Sequence, residues 1–415
     1  MVYQSAYRRY HSTETALIKL QFDLLQQMER KNVTAFVSLD LSAAFDTVDH
    51  SVLISVMENR FGVVGEANNW IQSYLNSRSF FVHTSGASSS TKSIDFSVPQ
   101  GSCLGPVLFT YYSSTLQDII TLHEAKICAY ADDHGIFVNF PPGTDQEVST
   151  MTKLETCLHS VREWMDGNRL KLNASKTEFI CFGGSRQMGK CRTNSLNVSG
   201  TDIPRSNKIK YLGVWLDQNL SMHYHITQKI KIAMYQLKNI RTISNYLSND
   251  VCKVLVISLV ISHLDYCNSL LFGLPDYEIS RLQRVQNTAA KLIVGQYTFE
   301  NSTSALKHLH WLPIRQRIHF KIAVLVFKCI KGLAPTYLSD LLQPKQSREG
   351  LRSSNTPASP IFVIPFNKNK TFLDRSFAFS GPFIWNNLPH HVRHSDTLGI
   401  FKKHLKTYLF RQAFY

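Results

Sequence analysis

The stretch Lys126-Ile127-Cys128-Ala129-Tyr130-Ala131-Asp132-Asp133-His134-Gly135-Ile136-Phe137-Val138-Asn139 sets two carboxylates side by side between two apolar runs. Ile127–Ala131 and Ile136–Val138 read as strands, and the acidic pair falls at a tight turn between them. Adjacent buried charges cost several kcal/mol unless a cation or ligand offsets them. Successive side chains of a strand point to opposite faces, so both carboxylates can face one ion only at a hairpin turn. Mg2+, held by one or two carboxylates plus substrate phosphates, accounts for such a pair. A solvated Asp-Asp turn with no role is the plain alternative.

Outward from this hairpin, a second carboxylate-ended strand appears at Thr34–Leu41, with Asp40 near its end. A lone Asp there also suits a helix N-cap, and the spacing predicts an amphipathic helix from about Ala43 to Arg60, stopped near Gly62. Pro99-Gln100-Gly101-Ser102 reads as a turn between the two acidic strands. Three carboxylates can hold two metal ions that activate a 3′-hydroxyl and stabilise a leaving pyrophosphate. Helical spacing is also predicted from Ser12 or Thr13 through Leu25, over Trp70–Leu75, over Leu104–Leu122 and over Lys153–Asn168. Phe80–His83 and Ser93–Val98 read as a hairpin, Thr177–Phe182 and Ile209–Leu216 as strands, and Gly183–Arg192 as a basic loop. After Asp217 the pattern is almost wholly helical to Leu338, with basic polar faces that include Lys229, Lys238, Arg241, Arg281 and Lys291. Gln343–Thr371 reads as a loop or linker, and Leu398–Phe414 as a last amphipathic helix. Trp311 and Trp385 read as core. The expected fold class is α+β, a mixed part followed by a helical part.

Composition narrows the function. Lys plus Arg outnumber Asp plus Glu by 45 to 30 in 415 residues, a net charge of +15. Such an excess favours a polyanion, because each neutralised phosphate releases counterions. Hydrophobic residues at 44% and charged residues at 18% fit a globular chain and exclude wholesale disorder. The eight cysteines show no Cys-x-x-Cys spacing and read as thiols in a reducing compartment, not as a disulfide framework. Met1–His11 lacks the pattern of a secretory signal, and the most apolar run, Val254–Ile261, is too short to span a bilayer. An intracellular protein of nucleus and cytoplasm, without membrane partners, is expected.

The sequence around the acidic residues resembles reverse transcriptases of non-LTR (LINE-type) retrotransposons. Phe36-Val37-Ser38-Leu39-Asp40-Leu41-Ser42-Ala43-Ala44-Phe45-Asp46 is similar to their first palm motif, and Val98-Pro99-Gln100-Gly101-Ser102-Cys103-Leu104-Gly105-Pro106 to the second. Tyr130-Ala131-Asp132-Asp133 resembles the catalytic box, Leu172-Asn173-Ala174-Ser175-Lys176-Thr177-Glu178 the fourth motif, and Tyr211-Leu212-Gly213-Val214 the primer grip. The five occur in the family's order. The likeness, of the Jockey/CR1/L2 kind, extends through the helical part to Leu264-Asp265-Tyr266-Cys267-Asn268-Ser269.

The resemblance implies a right-hand polymerase palm, an antiparallel sheet with packed helices, followed by an α-helical thumb and C-terminal region. Its divisions are partial fingers at 1–33, palm at 34–217, thumb and connection at 218–342, a linker at 343–371 and a C-terminal segment at 372–415. It implies RNA-directed DNA synthesis on an RNA template and DNA primer, with dNTPs and two Mg2+ ions (or Mn2+) held by Asp40, Asp132 and Asp133. Lys176 falls where it can protonate or neutralise pyrophosphate, though a surface lysine is the plain alternative. Phe45 falls at the steric gate against a ribose 2′-hydroxyl, or in the palm core. Arg8, Leu41, Gln100 and Gly101 fall against the incoming nucleotide, with a simple turn the alternative for the last two. Tyr211, Leu212 and Gly213 fall at the primer grip, while Asp46 and His134 read as structural support and tolerated variation. The likeness begins inside the fingers, so earlier fingers motifs and an endonuclease domain are expected before Gln4, and the chain resembles a 5′-truncated element. A catalytically silent remnant that binds RNA or RNA–DNA hybrid is the competing expectation.

Overall fold

A computed structural model describes residues 4–39, 41–42, 45–99, 101–173, 176–198, 200–295, 302–345, 360–365 and 372–415, with the backbone alone at Leu41, Ser42 and Leu172. It is α+β, and it divides into two compact units. One comprises Met1–Arg9 with Lys31–Ile209, the other Tyr10–Arg30 with Lys210–Tyr415.

The first unit is built on a six-stranded sheet in the order Ser195–Val198, Thr201–Ser206, Glu178–Phe182, Val33–Leu39, Asp133–Phe140, Lys126–Tyr130. Every pairing is antiparallel except that of Glu178–Phe182 with Thr201–Ser206. Val33–Leu39 lies at the centre, with Val33, Ala35, Val37 and Leu39 buried on one face and Phe36 on the other. Val33, Ala35, Val37 and Leu39 join one core with Leu108, Phe109 and Tyr112 of helix Gly105–Tyr112 and with Leu154, Leu158 and Val161 of helix Asp145–Gly167. Phe36, on the opposite face, stacks on Phe137 at 6.2 Å and meets Phe182 edge-on at 6.0 Å. The alternation of the central strand thus sets Val33, Ala35, Val37 and Leu39 on one face and Phe36, between Thr34 and Ser38, on the other.

Several elements depart from the sequence reading. The helix expected from Ala43 spans His50–Phe61, because Asp49 caps it by accepting from the amides of Ser51 (2.9 Å) and Val52 (3.2 Å). Upstream of it, Leu41 and Ser42 pair with Leu172 and Lys171. Gly62, at φ +66°, ends the helix as expected. Asp49 also holds Arg169 at 3.0 Å, and the Ser51 hydroxyl bond, outweighing its burial, keeps its carboxyl below the ordinary aspartate range. Asp49→Ala is expected to cost about 1 kcal/mol, the usual worth of a cap, read by urea unfolding. Ile209–Leu216 is a hairpin, Lys208–Tyr211 with Val214–Asp217, because Leu212 and Gly213 turn the chain at φ +46° and +76°. The hairpin Ser195–Ser206 was not expected at all.

Glu147, in the first turn of helix Asp145–Gly167, is buried without a cationic partner. Its carboxylate accepts from the amides of Gly143 (2.7 Å), Arg192 (2.7 Å) and Thr193 (2.8 Å), and from the Thr193 hydroxyl (2.8 Å). It thereby fastens the end of the basic loop to the helix. Burial acts to raise its pKa, but the convergent N–H donors win and hold it below the ordinary glutamate range.

The second unit is helical. Ser12 caps helix Thr13–Glu29 in a capping box with Thr15. Its Leu17, Leu20 and Leu24 line a small apolar cavity with Leu216, Leu220, Met222 and Leu270. This helix therefore packs with the C-terminal half. Long helices His223–Ile243, Asp276–Val294, Ile314–Ile330 and Leu398–Phe414 supply most of the rest. Trp385 is fully buried beside Phe401, its indole N–H donating to Pro360 O at 2.8 Å, and Trp311 is buried too. No disulfide links any of the eight cysteines. Among the described residues no helix is long and apolar enough to cross a membrane.

Candidate active site

The hairpin of Lys126–Tyr130 and Asp133–Phe140 closes with Tyr130 paired to Asp133, so Ala131 and Asp132 form a two-residue turn. Ala131 takes φ +58°, a left-handed conformation that non-glycine residues adopt at a cost of about 1 kcal/mol. A side chain from the start of the chain holds it there. The Gln4 amide accepts from Ala131 N (2.9 Å) and donates to Ala131 O (3.2 Å), while Ser5 N donates to Ala129 O (2.9 Å). His134 braces the other side: it is buried, and its Nδ1 donates to the Asp132 carbonyl at 2.9 Å. Burial pushes the His134 pKa down, which keeps the ring neutral. Gln4 and His134 are thus working parts of the turn that sequence reasoning did not assign. Their signal was position, one four residues before Arg8 and one directly after the acidic pair.

Asp132 and Asp133 are both exposed at this tip. Burial, and then the negative charge of Asp132, push the Tyr7 phenol above its ordinary value. Among the described residues no Lys or Arg pairs with the Asp132 carboxylate. Hard oxygen donors exposed on a braced turn fit a divalent cation. Among the described residues there is no cluster of three or more metal-ligating side chains. Asp40, expected as the third carboxylate, lies outside the described residues. Its neighbours are paired on either side, Leu39 with His134 and Leu41 with Leu172.

The remaining expected residues are distributed as follows. Arg8 is exposed, its guanidinium donating to Gln4 O at 3.0 Å, which ties it to the segment that braces the turn. Phe45 is half-buried on Phe109, ring centroids 5.0 Å apart, and its carbonyl accepts from Val98 N at 2.8 Å. Gln100 and the Leu41 side chain lie outside the described residues. Gly101 is exposed at φ +82°, where a side chain is strained, and Ser102 N closes the turn onto Pro99 O at 3.2 Å. Lys176 is exposed just after Asn173, whose carbonyl accepts its amide at 3.1 Å. In the second unit Tyr211 is buried at the base of its hairpin, and Leu212 and Gly213 make the turn.

A family model described as reverse transcriptase (RNA-dependent DNA polymerase) matches residues 2–216. The RNA-directed DNA polymerase from mobile element jockey of Drosophila melanogaster is 28% identical over 302 residues, 70% of this chain and 31% of that protein. The probable RNA-directed DNA polymerase from transposon X-element of the same fly is 26% identical over 331 residues, 76% of this chain and 34% of that protein. The chain thus spans about a third of the length of these curated relatives. Among solved structures, telomerase from Candida tropicalis in complex with a fragment of telomeric RNA aligns with 76% of this chain and 51% of its own, at 13% identity and a TM-score of 0.40.

Proposed function

Since the chain belongs to the reverse transcriptase (RNA-dependent DNA polymerase) family, we propose that it performs RNA-directed DNA synthesis for a non-LTR retrotransposon. The observation that carries this reading is the exposed Asp132–Asp133 pair on a turn held from both sides by Gln4 and His134. With Asp40 these carboxylates hold two Mg2+ ions, and Mn2+ can substitute. When bound, the ions lower the pKa of the primer 3′-hydroxyl and neutralise charge on the leaving pyrophosphate.

The chain's own groups do the rest. Arg8 and Lys176 meet the triphosphate, Lys176 donating a proton or a charge to the departing pyrophosphate. The Pro99–Ser102 turn, with Gln100 and Gly101, and the backbone at Leu41 lie along the incoming nucleotide. Phe45, kept in place by Phe109, excludes a ribose 2′-hydroxyl. Tyr211, Leu212 and Gly213 hold the primer end, and the basic helices after Tyr224 form a thumb that tracks template and primer by charge. The protein then acts inside the cell, in nucleus and cytoplasm.

Primer extension on poly(rA)/oligo(dT) with dTTP tests the reading. Extension is expected with Mg2+, lost on chelation and restored by added Mg2+ or Mn2+. Hybrid binding without extension at any divalent concentration overturns it in favour of a silent binding protein.

A further inference from the structure

The motif Leu264–Ser269 has no part in the chemistry above, yet its polar members are tightly anchored. Asp265 takes a two-pronged bond from Arg317, 2.9 Å to Nε and 2.8 Å to Nη2. The Ser269 hydroxyl donates to Glu14 at 2.6 Å, and the other oxygen of Glu14 holds Lys321 at 3.1 Å. Between these anchors the chain reverses at buried Cys267, φ +53°. The reversal projects Tyr266 onto the turn Leu212–Gly213. The phenol donates to the Leu212 carbonyl at 2.7 Å and lies 3.2 Å from Thr13 Oγ1. Its ring lies so close to Gly213 that a Cβ there would sit 3.3 Å from ring atoms. Lys229 Nζ sits over the same ring, 4.7 Å from its centroid, which fixes the ring plane from another side.

The turn needs such support. Leu212 stands in a left-handed conformation at φ +46° and Gly213 follows at +76°, so nothing in their local preference selects this shape for leucine. We infer that Tyr266 is a positioning residue: it locks the Leu212–Gly213 turn, and through it the primer end. The inference rests on the reading of Tyr211–Gly213 as the primer grip. It gives the Leu264–Ser269 motif a purpose, that of a rigid bracket for one phenol. Misplacing a reacting end by about 1 Å can cost 10²-fold, so the phenol's effect falls on the primer and not on the nucleotide.

Tyr266→Phe removes the hydroxyl and keeps the ring. Hydrogen exchange of a peptide covering residues 209–216 is expected to quicken about fivefold to tenfold, the worth of one hydrogen bond. The KM for primer–template rises by a similar factor, while the KM for dTTP stays unchanged and the melting temperature falls by no more than about 4 °C. Unaltered exchange at residues 209–216 overturns the bracket. Faster exchange with an unaltered primer KM overturns its role in primer placement. Where wild-type protein does not extend, the Kd of an RNA–DNA hybrid replaces KM. Wild type that binds no hybrid sinks the primer role together with the primer-grip reading, while the exchange result still reports on the bracket alone.

Discussion

Replacing Asp132 by Asn is expected to lower the rate of primer extension by about a thousandfold or more. A carboxylate that helps hold the catalytic ions contributes several kcal/mol of charge stabilisation in the transition state, and about 1.4 kcal/mol corresponds to each tenfold in rate. The same substitution should leave unfolding free energy within about 0.5 kcal/mol, because Asp132 is exposed at a turn whose fixed points are the Gln4 amide and the His134 ring. Asp166→Asn, which removes an equal charge from the exposed end of helix Asp145–Gly167, controls for net charge and is expected to extend like wild type. Equal extension by Asp132→Asn and wild type, under saturating hybrid and Mg2+, would remove the acidic turn from the mechanism.

The second large effect is structural. Glu147→Ala is expected to destabilise the first unit by about 2 kcal/mol, because it leaves the part-buried amides of Arg192, Thr193 and Gly143 without their common acceptor. The pH dependence follows from the depressed pKa of Glu147. A carboxyl that is more acidic folded than unfolded adds stability above its unfolded value, and that contribution disappears as pH falls through the folded one. Wild type should therefore lose stability progressively below pH 4.5, the ordinary glutamate value. Glu147→Gln, weaker at neutral pH, should show a flatter profile there. Urea midpoints measured down through that acid range distinguish the two, and parallel curves would rule out Glu147 as the titrating group.

Much of this was readable because the signals were local. Ile127–Ala131 and Ile136–Val138 alternate about a two-residue turn, so the acidic hairpin follows from a dozen residues. Gly62 announces a helix end by itself. Two of the departures share one cause, a partner lying far away in sequence. Ala43–Asp49 has helix-like spacing, but Leu41 and Ser42 pair with strand residues 130 positions later, and the helix waits for Asp49. Gly213 was a visible turn signal inside Ile209–Leu216; Leu212 in a left-handed conformation was not, since its support comes from Tyr266. Ser195–Ser206 does alternate at Leu196, Val198 and Ile203, and was a strand pattern overlooked. In the candidate site, the carboxylates were legible by type, whereas Gln4 acts on a backbone group 127 residues away. No residue-type pattern encodes that.

Helix Thr13–Glu29 is synthesised before its partners, for it packs against Asn268–Leu271 and Phe372–Arg375, with the Gln21 amide on Leu270 O at 3.1 Å. At about 5–20 residues per second, roughly 10 to 40 s of synthesis separate it from Leu216, Leu220 and Met222, the earliest of its described partners. A lone helix of this length is marginal in water, so Leu17, Leu20 and Leu24 stay exposed for that interval while the six-stranded sheet completes around Val33–Leu39. The nascent chain thus carries an uncovered apolar segment through the folding of the sheet.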